Sequence, residues 1–127
     1  MAVIIGVARE SAPGERRVAL TPETAKKLVA AGASVRVQRG LGARARFPDQ
    51  AYADVGAELV DGDVLADADL VLCVQPPPAD AIATMKTGAA LVGALHPQAD
   101  EARATAIRER GIVAFPLERL PRTTRAQ

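Results

Sequence analysis

The chain has 127 residues, 49% of them hydrophobic and 24% charged, which is the balance of one globular domain and excludes a disordered or collagen-like polymer. Sixteen basic residues against fifteen acidic ones leave a formal charge of +1, which argues against nucleic acid or an anionic membrane as a partner. The single Cys73 excludes an internal disulfide or a cysteine-based zinc site, no metal is expected, and neither a secretion signal nor an apolar run of roughly 18 residues is present, so a cytoplasmic location is expected.

Residues 3–7 are short, continuously apolar and rich in β-branched side chains, as in a first strand buried on both faces. After a polar loop, Thr21-Pro22-Glu23 supplies an N-cap, a proline for the first turn and an acid beside the positive end of the helix dipole, which predicts a helix running to Gly32. Residues 34–38 alternate around Val35 and Val37 and form the second strand candidate, and residues 58–60 and 70–74 are the next two. Short helices are expected near residues 49–55 and 61–66. Pro76-Pro77-Pro78 cannot continue a central strand, so the chain turns there into a helix over residues 79–85. Residues 89–95 read as a strand, Asp100 caps a helix that Gly111 stops after Arg110, and residues 112–115 form the last strand. Strands alternating with helices at this spacing predict an α/β fold, a parallel sheet flanked by helices in a flavodoxin- or Rossmann-like three-layer arrangement, with functional loops at the carboxyl ends of the strands.

Four features carry chemistry in their residue types. Gly40-Leu41-Gly42-Ala43-Arg44-Ala45 matches a dinucleotide fingerprint with Asp61 about twenty residues on, but Phe47-Pro48 interrupts the helix whose N-terminus would face the pyrophosphate. A plain glycine turn is therefore expected. Arg17, in Glu15-Arg16-Arg17-Val18, either projects from a strand-end loop toward an anionic group or pairs with Glu10 or Glu15. His96, the only histidine, follows a strand end, where it could be a general acid or base or a structural residue. Residues 120–127, Leu-Pro-Arg-Thr-Thr-Arg-Ala-Gln, are either a loop rich in hydrogen-bond donors or a frayed polar terminus. Cys73, inside an apolar run, is expected to be an inert core residue.

Taken together, Ala8-Arg9-Glu10, the run from Pro13 to Pro22, the glycine loop, Val74-Gln75-Pro76-Pro77 and the run from Pro121 to Gln127 resemble the alanine dehydrogenase/transhydrogenase N-terminal domain family. The resemblance is to the NAD(H)-binding alpha subunit of proton-translocating NAD(P) transhydrogenase and, more distantly, to alanine dehydrogenase. It implies a domain over residues 1–118 and the start of a cofactor-covering loop over 119–127, in which Arg122, Arg125 and Gln127 contact the cofactor. Arg17 and His96 fall where alanine dehydrogenase has its substrate arginine and catalytic histidine, whereas Gln75 stands in place of that enzyme's pyruvate-binding lysine, as in transhydrogenases.

The implied activity is hydride transfer from NADH on this subunit to NADP+ on a partner subunit, coupled to proton translocation. The implied assembly is a homodimer of the full subunit, peripheral to the inner membrane through membrane and NADP(H)-binding subunits. The resemblance further implies that the chain stops inside the covering loop, with the NAD-binding Rossmann domain and a later segment that completes this incomplete N-terminal domain absent. Exposed apolar surface and no activity in isolation are then expected. A fragment of an amino-acid dehydrogenase and a non-catalytic interaction module remain the alternatives.

Overall fold

The computed structural model describes residues 3–10, 14–94 and 100–116. In chain order the elements are β1 (Ile4–Val7), α1 (Pro22–Ala30), β2 (Ser34–Gln38), a 3-10 turn (Ala43–Ala45), α2 (Asp49–Asp54), β3 (Glu58–Val60), β4 (Leu70–Leu72), α3 (Ala79–Ala83), β5 (Ala90–Gly93), α4 (Glu101–Arg110) and β6 (Val113–Pro116). The six strands form one sheet in the order β3-β2-β1-β4-β5-β6, and every pairing is parallel. The chain thus moves outward from β1 in one direction, returns, and moves outward in the other, which puts a topological switch point between β1 and β4.

The period-two pattern of the strands divides the core in two. Ile5 and Val7 of β1 lie beside Val35 and Val37 of β2 and pack with Leu20, with Ala25 of α1 and with Tyr52 of α2. On the opposite face Val71 and Leu91 pack with Ile82 and Met85, and with Ala106 and Ile107 of α4. Right-handed crossovers in opposite directions require this sorting of helices to opposite faces. Tyr52, fully buried, donates its hydroxyl to the Leu20 carbonyl at 2.8 Å and meets Phe47 edge-on at 6.5 Å between ring centres. Burial first, and then the Asp49 charge, push its pKa up to about 12.

Helix ends follow the sequence signals. The Thr21 hydroxyl accepts from the Thr24 amide at 3.3 Å with Pro22 in the first turn, and Asp100 accepts from the Arg103 amide at 3.1 Å. Gly111 closes α4 at φ 72°, a left-handed conformation that suits glycine.

The expected helix over residues 61–66 is not formed. Asp63 instead accepts from the Leu65 amide at 2.7 Å, a local bond that competes with helical hydrogen bonding, and residues 61–69 cross the sheet as bends and turns. This crossing explains Gly6: a Cβ there would stand 2.4 Å from the Val64 carbonyl oxygen and 3.0 Å from Ala68 Cβ. At Gly6, β1 therefore has no room for a side chain on that face, and the segment lays Val64, Leu65 and Ala68 directly over it. Asp69 then ties the segment to the start of β1 by accepting from the Ile4 amide at 2.9 Å and from Lys86, while its own amide donates to the Ile4 carbonyl at 2.8 Å.

At one edge of the sheet Val113 and Phe115 of β6 are each 49% accessible. No helix among the described residues is long and apolar enough to cross a membrane.

Because the obstruction at Gly6 is backbone, Gly6→Ala should destabilise the domain by on the order of 3 kcal/mol, measured as a shift of the urea midpoint. An unchanged midpoint would show that the 61–69 crossing does not bear on β1.

Candidate functional site

The strongest polar cluster lies where the strand order reverses, at the carboxyl ends of β1 and β4. Glu10, three residues past β1, accepts from the Val74 amide at 2.9 Å through one carboxylate oxygen and from the Gln75 amide at 2.9 Å through the other. Both amides lie beyond the end of β4, so one carboxylate joins two strand-end loops that are 64 and 65 residues apart in sequence.

Gln75 extends the cluster by donating its side-chain amide to Glu15 at 3.1 Å. Glu15 also receives the Arg17 backbone amide at 2.8 Å, Arg17 Nε at 3.0 Å and Arg17 Nη2 at 3.0 Å. Arg17 pairs with Glu15 rather than with Glu10. The Glu15 side chain is only 8% accessible whereas that of Arg17 is 70% accessible, so the acid is the sheltered member of the pair. The Arg17 side chain, the Arg17 amide and the Gln75 amide together hold the Glu15 pKa at about 2.

Two recesses flank this cluster. One, of about 210 Å³ and mostly apolar, runs between Leu65, Val71, Cys73, Pro77 and Ala81 with Gln75 at its rim. The other, of about 490 Å³, opens toward β2 between Arg9, Arg16, Gln38 and Gly40. Cys73 is half-buried and its thiol donates to the Val92 carbonyl at 3.5 Å. It lines the apolar recess, so it is less enclosed than a core residue.

The glycine loop behaves as a turn. Ala43–Ala45 make a single 3-10 turn, Arg46 ends it at φ 66°, and Asp61 pairs with Arg39 at 2.6 Å. No helix N-terminus faces outward from Gly40 to Ala45, so these residues do not fit the pyrophosphate of a dinucleotide in the Rossmann manner. Among the described residues no three His, Cys, Asp or Glu side chains are placed to hold a metal ion. His96, Arg122, Arg125 and Gln127 lie outside the described residues.

Gln38, unlike Arg17 and Gln75, belongs to no sequence motif, yet its side-chain oxygen accepts from the Arg9 amide at 2.8 Å and fixes the β1 loop against the end of β2. The only available signal was its place as the last residue of β2, on the side of the sheet where loops carry function.

An open, doubly wound parallel sheet with a polar cluster at its switch point defines the class: an α/β domain of the kind on which nucleotide-dependent enzymes are built. Residues 6–127 match the family described as alanine dehydrogenase/PNT, N-terminal domain, and the chain belongs to that family. It is 33% identical over 125 residues to NAD(P) transhydrogenase subunit alpha of Haemophilus influenzae, covering 98% of this chain and 24% of that protein. It is 34% identical to alanine dehydrogenase of Bacillus subtilis, covering 91% of this chain and 31% of the enzyme. The crystal structure of transhydrogenase from Sinorhizobium meliloti superposes with a TM-score of 0.90 at 37% identity, covering 98% of this chain and 36% of that one. The chain thus spans between about a quarter and about a third of the length of the relatives it matches.

The hydrogen bonds that depress the Glu15 pKa set an acid limit on the cluster. The charged carboxylate is favoured in the folded state, so its stabilising contribution is present above about pH 4.5 and is lost as pH falls toward 2. Carboxyl NMR titration should give Glu15 a midpoint near 2 that returns toward 4.5 in Arg17→Ala. A wild-type midpoint near 4.5 would show that the pair does not form in solution.

Proposed function

We propose that this chain is the N-terminal domain, residues 1–118, and the start of the cofactor-covering loop, residues 119–127, of the NAD(H)-binding subunit of a proton-translocating NAD(P) transhydrogenase. In the complete protein NADH on this subunit passes a hydride to NADP+ on a partner subunit. Such a reaction asks of the protein chiefly positioning and water exclusion, and needs no side-chain acid or base at the reacting carbons. In this reading Arg122, Arg125 and Gln127 contact the cofactor, the full subunit is a homodimer, and the NADP(H)-binding and membrane subunits bring it to the inner-membrane surface from the cytoplasm.

The observation that carries this reading over an amino-acid dehydrogenase is the occupation of Arg17. Its charge is neutralised by Glu15 through two side-chain bonds, and the neighbouring position 75 holds an amide that also donates to Glu15. A small carboxylate substrate would have to displace Glu15 and would find no second cation at Gln75. In this reading His96 has no acid–base task.

Two measurements test the assignment. Reconstituted with a transhydrogenase's NAD(H)-binding domain, NADP(H)-binding subunit and membrane subunit, the chain should support NADH-dependent reduction of an NADP+ analogue and no alanine-dependent reduction of NAD+. Alanine-dependent turnover without transhydrogenation would assign the amino-acid dehydrogenase instead, and neither activity would favour a non-catalytic interaction module. Fluorescence titration of the chain by itself should give no saturable NADH binding at micromolar concentrations, because the glycine turn supplies no pyrophosphate-facing helix.

A further inference from the structure

The recess between β1 and β2 differs electrostatically from the cluster beside it. Five charged side chains line its cavity of about 490 Å³: Arg9, Glu10, Glu15, Arg16 and Arg17. Both acids are committed elsewhere, Glu10 to two backbone amides and Glu15 to Arg17 and Gln75. Arg17 is consumed in the same pair. Arg9 and Arg16 have no ion pair and no side-chain hydrogen bond among the described residues. The cavity therefore presents two guanidinium groups without an ion-pair partner beside the Glu10 carboxylate, a formal excess of a single positive charge.

Arg9 is anchored through its backbone. Its amide is fixed by the Gln38 side chain at 2.8 Å, and its side chain runs over Gly40, where an added Cβ would meet Arg9 Cδ at 3.4 Å and Nη1 at 3.6 Å. Gly40 sits at φ 83° and its amide donates to Asp49 at 2.8 Å, so the surface beneath Arg9 is itself anchored to α2.

We propose that Arg9 and Arg16 form a binding site for a phosphate-bearing small molecule, separate from the Glu15–Arg17 pair. Guanidinium groups match phosphate oxygens with paired, charge-assisted hydrogen bonds, and two of them suit a polyvalent oxyanion better than a single carboxylate. The volume accepts a ligand larger than inorganic phosphate and lies within the range of small-molecule sites. The ligand is thus either a free oxyanion or the phosphate end of a nucleotide.

Calorimetric titration of the full chain at fixed ionic strength with inorganic pyrophosphate, and separately with ADP, tests the site. Saturable binding at millimolar ligand is expected, weakened at least about tenfold in Arg9→Gln and in Arg16→Gln, the loss of one charge-assisted hydrogen bond or more. Arg108→Gln, on α4 and away from the cavity, should bind like the wild type. Tighter binding of ADP assigns the site to nucleotides and tighter binding of pyrophosphate to free oxyanions. No saturation by either ligand, undiminished binding in the Arg9 and Arg16 variants, or equal loss in Arg108→Gln overturns the proposal. Both substituted side chains are exposed, and circular dichroism of each variant should match the wild type.

Discussion

The Glu10 carboxylate is the constraint on which the arrangement at the switch point rests. A parallel sheet whose order reverses between β1 and β4 leaves the two strand ends diverging, with backbone amides that have no neighbouring strand to pair with. Glu10 satisfies two of them at once, at Val74 and Gln75. By fixing the backbone of Gln75 it also sets where that side chain can reach, and the reach ends at Glu15. The β1 loop, the β4 loop and the Arg17 segment are consequently one connected polar unit.

Within that unit Glu15 decides the chemistry. An arginine at a strand-end loop is a ready receptor for an anion, but here the receptor is filled from two residues away, and the acid doing so is the more sheltered of the pair. Displacing it would require breaking the two Arg17 side-chain bonds together with those from the Arg17 and Gln75 amides. This is why neighbours that look alike in sequence, Arg16 and Arg17, have different electrostatic roles.

Most of the architecture was legible in the amino-acid order because it is dictated locally. Thr21-Pro22 and Asp100 with Gly111 carry their own capping chemistry, and the apolar alternation of residues 34–38 specifies a strand without reference to anything distant. What escaped reading depends on pairs far apart in sequence. The choice of Glu15 over Glu10 as the partner of Arg17 follows from Glu10 being engaged by amides 64 and 65 residues away. Residues 61–69 avoid a helix because they must thread past Gly6 as well as satisfy Asp63. The family resemblance rested to a degree on residues 121–127, which are outside the described residues, while Arg17 and Gln75 can be seen brought together through Glu15.

The enclosure of Tyr52 has a practical side. The chain holds one tyrosine and no tryptophan, and that tyrosine is packed in the half of the core built on β1, β2, α1 and α2. Tyrosine emission and phenol absorbance therefore report the melting of that half alone. Loosening of the β4–β5–β6 half, where α3 and α4 pack and where Val113 and Phe115 face outward, leaves no mark on either signal and must be followed through the backbone amides.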